Sequence, residues 1–143
     1  MRMRRMVVVL ALVVGCGDGD EDEPQFPSGF EDAVQVDAFQ QGDCEDHDDP
    51  YEVSTSTGPG RLTVDIKGLD ADCELPLAAF HVTTSEGTRL LIRPEDMGAD
   101  RPNCLCRYDL SIDVLGTDDP DGLGIYTQTA GAPDAAAVRF FPF

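Results

Sequence analysis

Positive charge is scarce in this sequence, and its scarcity excludes several classes of partner. The 143 residues carry 28 acidic side chains against 10 basic ones, a formal net charge of −18. Lys67 is the single lysine. A chain of this charge repels the phosphates of nucleic acids and anionic lipid headgroups. We therefore expect no nucleic-acid partner and no electrostatic attraction to a membrane surface.

The common signatures of catalysis are also missing. The chain has two histidines, no Gly-x-Ser-x-Gly nucleophile motif, and no glycine-rich phosphate loop after a predicted strand. His47 lies among acids, which is typical of a solvated loop. His81 falls on the same strand face as Ala79, and we expect that face to point to water. Carboxylates are so numerous that a pair of them carries no signal for glycoside hydrolysis. The sequence predicts no catalytic residue.

No apolar run near the start is long enough to cross a membrane, which needs about 20 residues. Three arginines within the first five residues precede an apolar segment at residues 6–14, the pattern of a secretory signal peptide. The segment ends in Val-Val-Gly-Cys at residues 13–16, which resembles the lipobox of bacterial lipoproteins. The resemblance implies cleavage after residue 15 and a lipid anchor on Cys16, which becomes the first residue. The alternative is an ordinary secretory signal in which Cys16 has no role.

An acidic stretch follows the predicted anchor. Removing residues 1–15 takes away three of the ten basic residues and none of the acids, which leaves seven against 28, a charge of −21. Residues 16–50 hold 13 of the acids and no lysine or arginine. Such a segment repels itself and has little apolar surface to bury, so we predict a disordered tether over residues 16–29. The protein would then stand on a membrane in the cell envelope, facing the periplasm or the cell surface.

From residue 30 onward the pattern has a period of two, which is typical of strands with one buried face. Leu62, Val64 and Ile66 alternate with polar residues, and a second run alternates in the same way from Tyr108 to Val114. Weaker strands are predicted at residues 34–39, 51–55, 79–84, 89–93, 123–129 and 136–141, and only residues 94–97 could form a helical turn.

About eight short strands separated by turn residues predict an all-β fold. We expect a single antiparallel β-sandwich, immunoglobulin-like or a related Greek key, over residues 30–143. The aromatic residues at the end of the chain are expected to pack on the sandwich as part of its last strand.

Four cysteines remain besides Cys16, and an even number in an exported domain predicts two disulfides. Cys104 and Cys106 cannot pair with each other, because residues two apart in a strand have Cα atoms near 7 Å from each other. Each must therefore reach Cys44 or Cys73, in either order. A four-thiolate zinc site is the rival interpretation, but zinc ligands usually lie two to four residues apart.

Calcium is the cation that the sequence best accommodates, because oxygen ligands are abundant. The candidate ligands are the loop at residues 43–49 and a turn that holds Asp118, Asp119 and Asp121. Neither matches the spacing of an EF-hand. Aspartates are also common in turns for their local hydrogen bonds, and no other cofactor is expected.

These observations favour a non-enzymatic protein of the cell envelope: a binding, adhesion or envelope-assembly module with a protein or glycan partner. Residues 103–110, Asn-Cys-Leu-Cys-Arg-Tyr-Asp-Leu, also resemble a pattern of small secreted bacterial β-sandwich lipoproteins of unknown function. The alternative is an extracytoplasmic hydrolase that uses carboxylates, with or without calcium. It requires a concave cleft with two convergent acids, whereas a flat acidic surface favours a binding module.

Overall fold

The computed structural model describes residues 26–45, 51–100 and 103–141, and in this part of the chain it contains strands and turns but no helix. This confirms the predicted all-β class. No helix of the described residues could cross a membrane. The strands are β1 (Val34–Gln35), β2 (Ala38–Gln41), β3 (Glu52–Gly58), β4 (Arg61–Asp72), β5 (Leu77–Thr84), β6 (Gly87–Pro94), β7 (Leu105–Leu115), β8 (Gly124–Thr127) and β9 (Ala136–Phe140).

The strands form two sheets that share one core. The five-stranded sheet has the order β1-β5-β6-β8-β9, and the four-stranded sheet has the order β2-β7-β4-β3. Alternate residues of each long strand face inward and are almost completely buried. From the four-stranded sheet these include Val64 and Ile112, and from the five-stranded sheet Leu90, Ile92 and Ile125. The alternation predicted from the sequence therefore marks the buried face of β4 and of β7, and the arrangement is sandwich-like.

We predicted a purely antiparallel sandwich, but β6 and β8 pair in parallel. The chain leaves the five-stranded sheet after β6, runs through β7 in the opposite sheet and returns in β8. Two successive reversals of direction make β8 run the same way as β6. The local pattern of each strand does not show this, because the direction depends on which sheet the intervening strand joins.

The predicted strand at residues 34–39 is two strands. β1 pairs with β5 in one sheet, and β2 pairs with β7 in the other. The chain changes sheets at Val36, which is buried and whose amide donates a hydrogen bond to the carbonyl oxygen of Ala79, 3.0 Å away. Residues 94–97, the one segment that could have formed a helical turn, do not form one, since Pro94 ends β6 and no helix follows it.

A bulge in β4 extends that strand beyond its predicted end. The register between β4 and β7 shifts between Ile66 and Leu69. Gly68 lies in the shift with φ of 73°, a left-handed conformation that glycine adopts without strain. Its amide donates a 3.0 Å hydrogen bond to the Asp109 carboxylate. After the shift, Leu69 and Cys73 are buried, so the strand keeps an inward apolar face up to the cysteine.

The outer face of the five-stranded sheet is covered by residues 26–33, which we call the strap. The Phe26 ring meets the Phe80 ring edge to face with centroids 5.1 Å apart, and Phe30 meets Tyr126 at 5.3 Å. Beneath the strap, Leu91 is fully buried although it points away from the core. Residues 26–29, which the sequence assigned to the tether, thus pack against the sheet. The outer face of the four-stranded sheet carries no such cover from the described residues.

Candidate binding site

The four cysteines form the two predicted disulfides, and the structure decides their connectivity. Cys44 is joined to Cys106 and Cys73 to Cys104, with Cα atoms 5.2 and 5.6 Å apart. Asp72 pairs with Leu105 across the two strands, so Cys73 and Cys104 lie opposite each other just beyond that pair. The Cys44–Cys106 bridge joins the chain that follows β2 to the beginning of β7. Because all four sulfurs are paired, the described chain offers no thiolate for zinc.

Residues 46–49 of the first predicted calcium loop lie outside the described part of the chain, and the turn with Asp118, Asp119 and Asp121 lies within it. Asp118, Asp119 and Asp121 are exposed, and the Asp119 carboxylate accepts a 2.9 Å hydrogen bond from the amide of Asp121. This is the local turn bond for which aspartate is common in turns. Across the described ranges, no group of three or more His, Cys, Asp or Glu side chains is placed to hold a metal ion. Cys16 and His47 lie outside the described residues.

The sequence predicts that His81 points to water, and the structure contradicts this prediction. It shares a face of β5 with Ala79, but that face is turned to the core, where Ala79 is 1% exposed. Its Nδ1 atom is buried and has no hydrogen-bond partner within the described chain. Burial lowers the pKa of His81, and the nearby Asp37 carboxylate opposes that change. The prediction failed because it took the face of β5 that carries Phe80 as the buried one. That face is also shielded from water, but by the strap rather than by the core.

A shallow groove of about 780 Å³ crosses the uncovered outer face of the four-stranded sheet. The groove lies over strands rather than between walls, and seven of its ten lining residues are polar or charged. Hydroxyls, amides, one ammonium group and two carboxylates line it, with the apolar residues near its floor: Gln40, Gln41, Gly42, Ser54, Asp65, Ile66, Lys67, Asp109, Leu110 and Ser111. No aromatic ring lines it, so the groove offers hydrogen bonds but no apolar plane for a ligand.

A second depression, of about 310 Å³, lies on the outer face of the five-stranded sheet next to the strap. It is lined by Glu86, Arg89, Gly122, Gly124, Tyr126 and Phe140. The strand register explains its shape. Arg89 of β6 lies beside Gly124 of β8, and Gly124 lies beside Phe140 of β9. The middle position of this row has no side chain, so the arginine and the phenylalanine flank a hollow whose floor is backbone.

Gly124 is required here for space rather than for its backbone conformation. A Cβ atom on Gly124 would lie 2.8 Å from Cε2 of Tyr126, closer than such atoms approach in proteins. The tyrosine ring therefore leans over the glycine and forms one wall of the depression. Phe30 of the strap packs edge to face with this ring and is itself 2% exposed. The wall is thus held in place by a buried contact.

The charged wall of the depression is held in a similar way. Nη2 of Arg89 lies 3.3 Å from Oε2 of Glu86. On the strap side, the guanidinium lies so close to Gly29 that a Cβ atom there would be 2.6 Å from Nη1. The pKa of Glu31 is lowered by hydrogen bonds from its own amide and that of Gly29, with a smaller contribution from Arg89. The guanidinium is thus held between the Glu86 carboxylate and the backbone of the strap at Gly29.

Phe140 is the unusual member of this set, because it is a large apolar side chain that is 57% exposed. The sequence had predicted that the terminal aromatics pack on the sandwich. Phe141 does pack against the core, but Phe140 does not. The signal was present in the sequence, since two adjacent residues of a strand point to opposite faces. What the sequence could not show is that Arg89 and Tyr126 line the same depression as the outward ring.

Comparison with known proteins adds no relative: the chain matches no family model, no curated protein and no solved structure.

Proposed function

We propose that this protein is a lipid-anchored module of the cell envelope that binds a neutral glycan in the depression formed by Arg89, Tyr126 and Phe140. Cys16 carries the anchor and the acidic segment lifts the domain from the membrane. The domain is a Greek-key sandwich related to the immunoglobulin fold. The crossings between sheets directly before and after β7 support that topology. The observation that carries the function is that the exposed Phe140 ring and the positioned Arg89 guanidinium line one depression on either side of Gly124.

The chemistry of the depression fits a sugar ring. Ligand sites are generally concave and combine apolar surface with a few directed polar groups. A sugar presents C–H groups on its faces and hydroxyls around its edge. The rings of Phe140 and Tyr126 supply an apolar surface for a face. The guanidinium of Arg89 donates hydrogen bonds and the carboxylate of Glu86 accepts them, which suits neighbouring hydroxyls.

The charges favour a neutral ligand over an anionic one. Arg89 already has a carboxylate partner 3.3 Å away in Glu86, and the pair sums to zero charge. An anionic ligand would have to displace that partner, and it would approach a chain of strongly negative net charge. The volume of about 310 Å³ is at the lower end of the range for ligand sites, which suits one or two sugar rings.

The arrangement supports binding rather than hydrolysis. Glycoside hydrolysis uses two carboxyl groups that flank the scissile bond, about 5 to 9.5 Å apart. The depression is lined by one carboxylate, that of Glu86. The groove on the other sheet has two acids, Asp65 and Asp109, but it lies across the flat face of a sheet. Neither place offers the concave cleft with convergent acids that the hydrolase alternative requires.

The test is a titration of the ¹⁵N-labelled mature chain, residues 16–143 with Cys16→Ser and both disulfides oxidised. The probes are maltose, lactose, N,N′-diacetylchitobiose and, for comparison, glucuronic acid. We expect at least one neutral sugar to shift the amide signals of Gly122 and Gly124 at millimolar concentration. Phe140→Ala should weaken that binding by about tenfold or more, as truncation of an aromatic anchor does.

Leu115→Ala is the matched control, because it removes a large side chain that is 48% exposed on the other sheet. It should leave the titration unchanged. Binding of glucuronic acid alone would contradict the proposed neutral ligand. Shifts that persist in Phe140→Ala, or no shift with any of the four probes, would overturn the site.

The anchor is tested separately by intact mass spectrometry of the protein from a bacterial host that lipidates exported proteins. We expect a chain that begins at Cys16 with added lipid mass. Four further cysteines should resist alkylation until they are reduced. A mature chain without lipid would overturn the anchor while leaving the binding site to its own test.

A further inference from the structure

β3 is the least protected edge of the two sheets. In the described chain it pairs with β4 on one side and with nothing on the other. It is seven residues long and its register with β4 is continuous. The other edges are shorter or irregular: β1 has two residues, β2 has four, and β9 has a register shift. Proteins usually block edge strands by such devices, or by lysine and proline, because a regular edge recruits another strand.

The sequence of β3, Glu-Val-Ser-Thr-Ser-Thr-Gly, has none of these blocking features. It contains no lysine, arginine or proline, and its single charge is Glu52 at one end. Val53, Thr55 and Thr57 are β-branched residues that favour the extended conformation. The strand therefore combines a free edge with a composition suited to pairing.

The hairpin between β3 and β4 determines which backbone groups point to the free edge. Gly58 and Arg61 pair across a two-residue turn, so they form the hydrogen-bonded pair that closes the hairpin. Hydrogen-bonded and non-hydrogen-bonded pairs alternate along an antiparallel ladder. The residues at non-bonded positions direct their N–H and C=O groups outward. Those residues are Val53, Thr55 and Thr57.

We infer that β3 pairs antiparallel with β3 of a second copy of this chain, about a twofold axis through Thr55. The strand is complementary to itself in that register. Thr55 lies opposite Thr55, Val53 opposite Thr57, and Ser54 opposite Ser56, so each pair brings together residues that pair well across strands. Glu52 falls opposite Gly58, so no like charges meet. The two four-stranded sheets become one continuous sheet of eight strands.

The directions of the free backbone N–H and C=O groups fit the same twofold axis through Thr55. The pairs Thr55 with Thr55 and Val53 with Thr57 are the ones that must exchange hydrogen bonds, and these residues present the outward N–H and C=O groups. A shift of the axis by one residue would bring inward-directed groups to the interface. An interface of this kind uses the same patch on both copies and closes as a dimer.

Charge sets the conditions under which the dimer forms. Each mature chain carries a formal charge of −21, so two copies repel at low ionic strength. Salt screens this repulsion, since the Debye length falls from about 30 Å at 0.01 M to about 10 Å at 0.1 M. Dimerisation should therefore strengthen as salt is added, whereas an interface held together by opposite charges would weaken.

Sedimentation equilibrium of the mature chain with Cys16→Ser tests the inference between 0.02 and 0.5 M NaCl. We expect a monomer–dimer equilibrium whose dissociation constant falls by about tenfold or more over this range. In the proposed register, position 54 of each copy faces position 56 of the other. Ser54→Lys/Ser56→Lys therefore creates two lysine–lysine pairs across the interface, and Ser54→Glu/Ser56→Glu creates two glutamate–glutamate pairs. Both side chains point outward and are exposed, so the fold tolerates the changes. Each double variant alone should be at least tenfold weaker as a dimer, and an equal mixture of the two should form a heterodimer.

Thr83→Lys/Thr84→Lys is the control, because it adds the same charge at the exposed end of β5. It should retain the dimer. A protein that stays monomeric at all salt concentrations, or a dimer that neither β3 variant weakens, would overturn the inference. Mixed double variants that fail to associate would also overturn it, since opposite charges must meet in this register. The saccharide titration uses a different sheet, so the two proposals fail independently.

Discussion

The guanidinium carbon of Arg93 lies 4.3 Å from the centre of the Phe26 ring. Phe80 lies on the same guanidinium at 4.7 Å, and Arg93 is 3% exposed. Burial lowers the pKa of Arg93, because the charged form loses water. One of its nitrogens, Nη1, has no hydrogen-bond partner in the described chain. The two aromatic faces attract the cation and offset part of its desolvation cost. The strap therefore makes it feasible to bury an arginine on the outer face of a sheet.

The strap should contribute substantially to stability. Phe30→Ala removes a 2% exposed ring that packs on Tyr126. We expect the free energy of unfolding to fall by about 3 to 5 kcal/mol, the usual range for truncating a buried phenylalanine. Urea denaturation of the oxidised mature chain measures the change. Val34→Ala, at a side chain that is 57% exposed, should cost less than about 1 kcal/mol. Equal losses in the two variants would show that the strap does not bear on stability.

The two disulfides should contribute comparable but distinguishable amounts. Cys44–Cys106 closes a separation of 62 residues and Cys73–Cys104 one of 31. Each should stabilise by about 4 kcal/mol if the chain-entropy model holds. A doubling of loop length adds about 0.6 kcal/mol, so removal of the Cys44–Cys106 bridge should be the costlier change.

The comparison uses Cys44→Ser/Cys106→Ser and Cys73→Ser/Cys104→Ser, with unfolding followed by circular dichroism in urea. Cys106 and Cys73 are both buried, so the two double variants lose similar packing. A larger loss on removing Cys73–Cys104 would mean that packing or native-state contacts outweigh loop entropy.

His81 should make the domain less stable as the pH falls. Its folded-state pKa lies below the ordinary value of about 6.5 because the ring is partly buried. Between those two pKa values the unfolded chain binds a proton that the folded chain does not. Stability is therefore full above about pH 6.5 and declines as the pH falls toward the folded pKa. His81→Gln should remove this decline, as measured by urea denaturation at intervals from pH 8 to 4.5.

His47→Gln is the matched control, since these are the only two histidines of the sequence. Each variant removes one histidine and leaves every other titratable side chain in place, so the difference between curves reports the effect of that histidine. A His81→Gln curve parallel to that of the unsubstituted protein would show that His81 does not titrate differently on folding.

The strands that could be predicted from the sequence are those with an apolar residue at every second position. Leu110 and Ile112 are buried on β7 as their alternation indicates. The bulge in β4 was present in the sequence as a change of phase from Ile66 to Leu69, but a phase change also fits the end of a strand. The break at Val36 left no local signal, because the residue is apolar and extended like its neighbours.

Short-range patterns were enough to predict which face of β4 and of β7 is buried, and that Cys104 and Cys106 do not bond to each other. These properties depend on side-chain periodicity and covalent reach, which act over a few residues. The complete fold was needed to show that Cys106 bonds to Cys44, that β8 runs parallel to β6, and that Arg89, Tyr126 and Phe140 share one depression. These properties depend on which strands become neighbours and in what register, and that is settled by the packing of residues far apart in the chain.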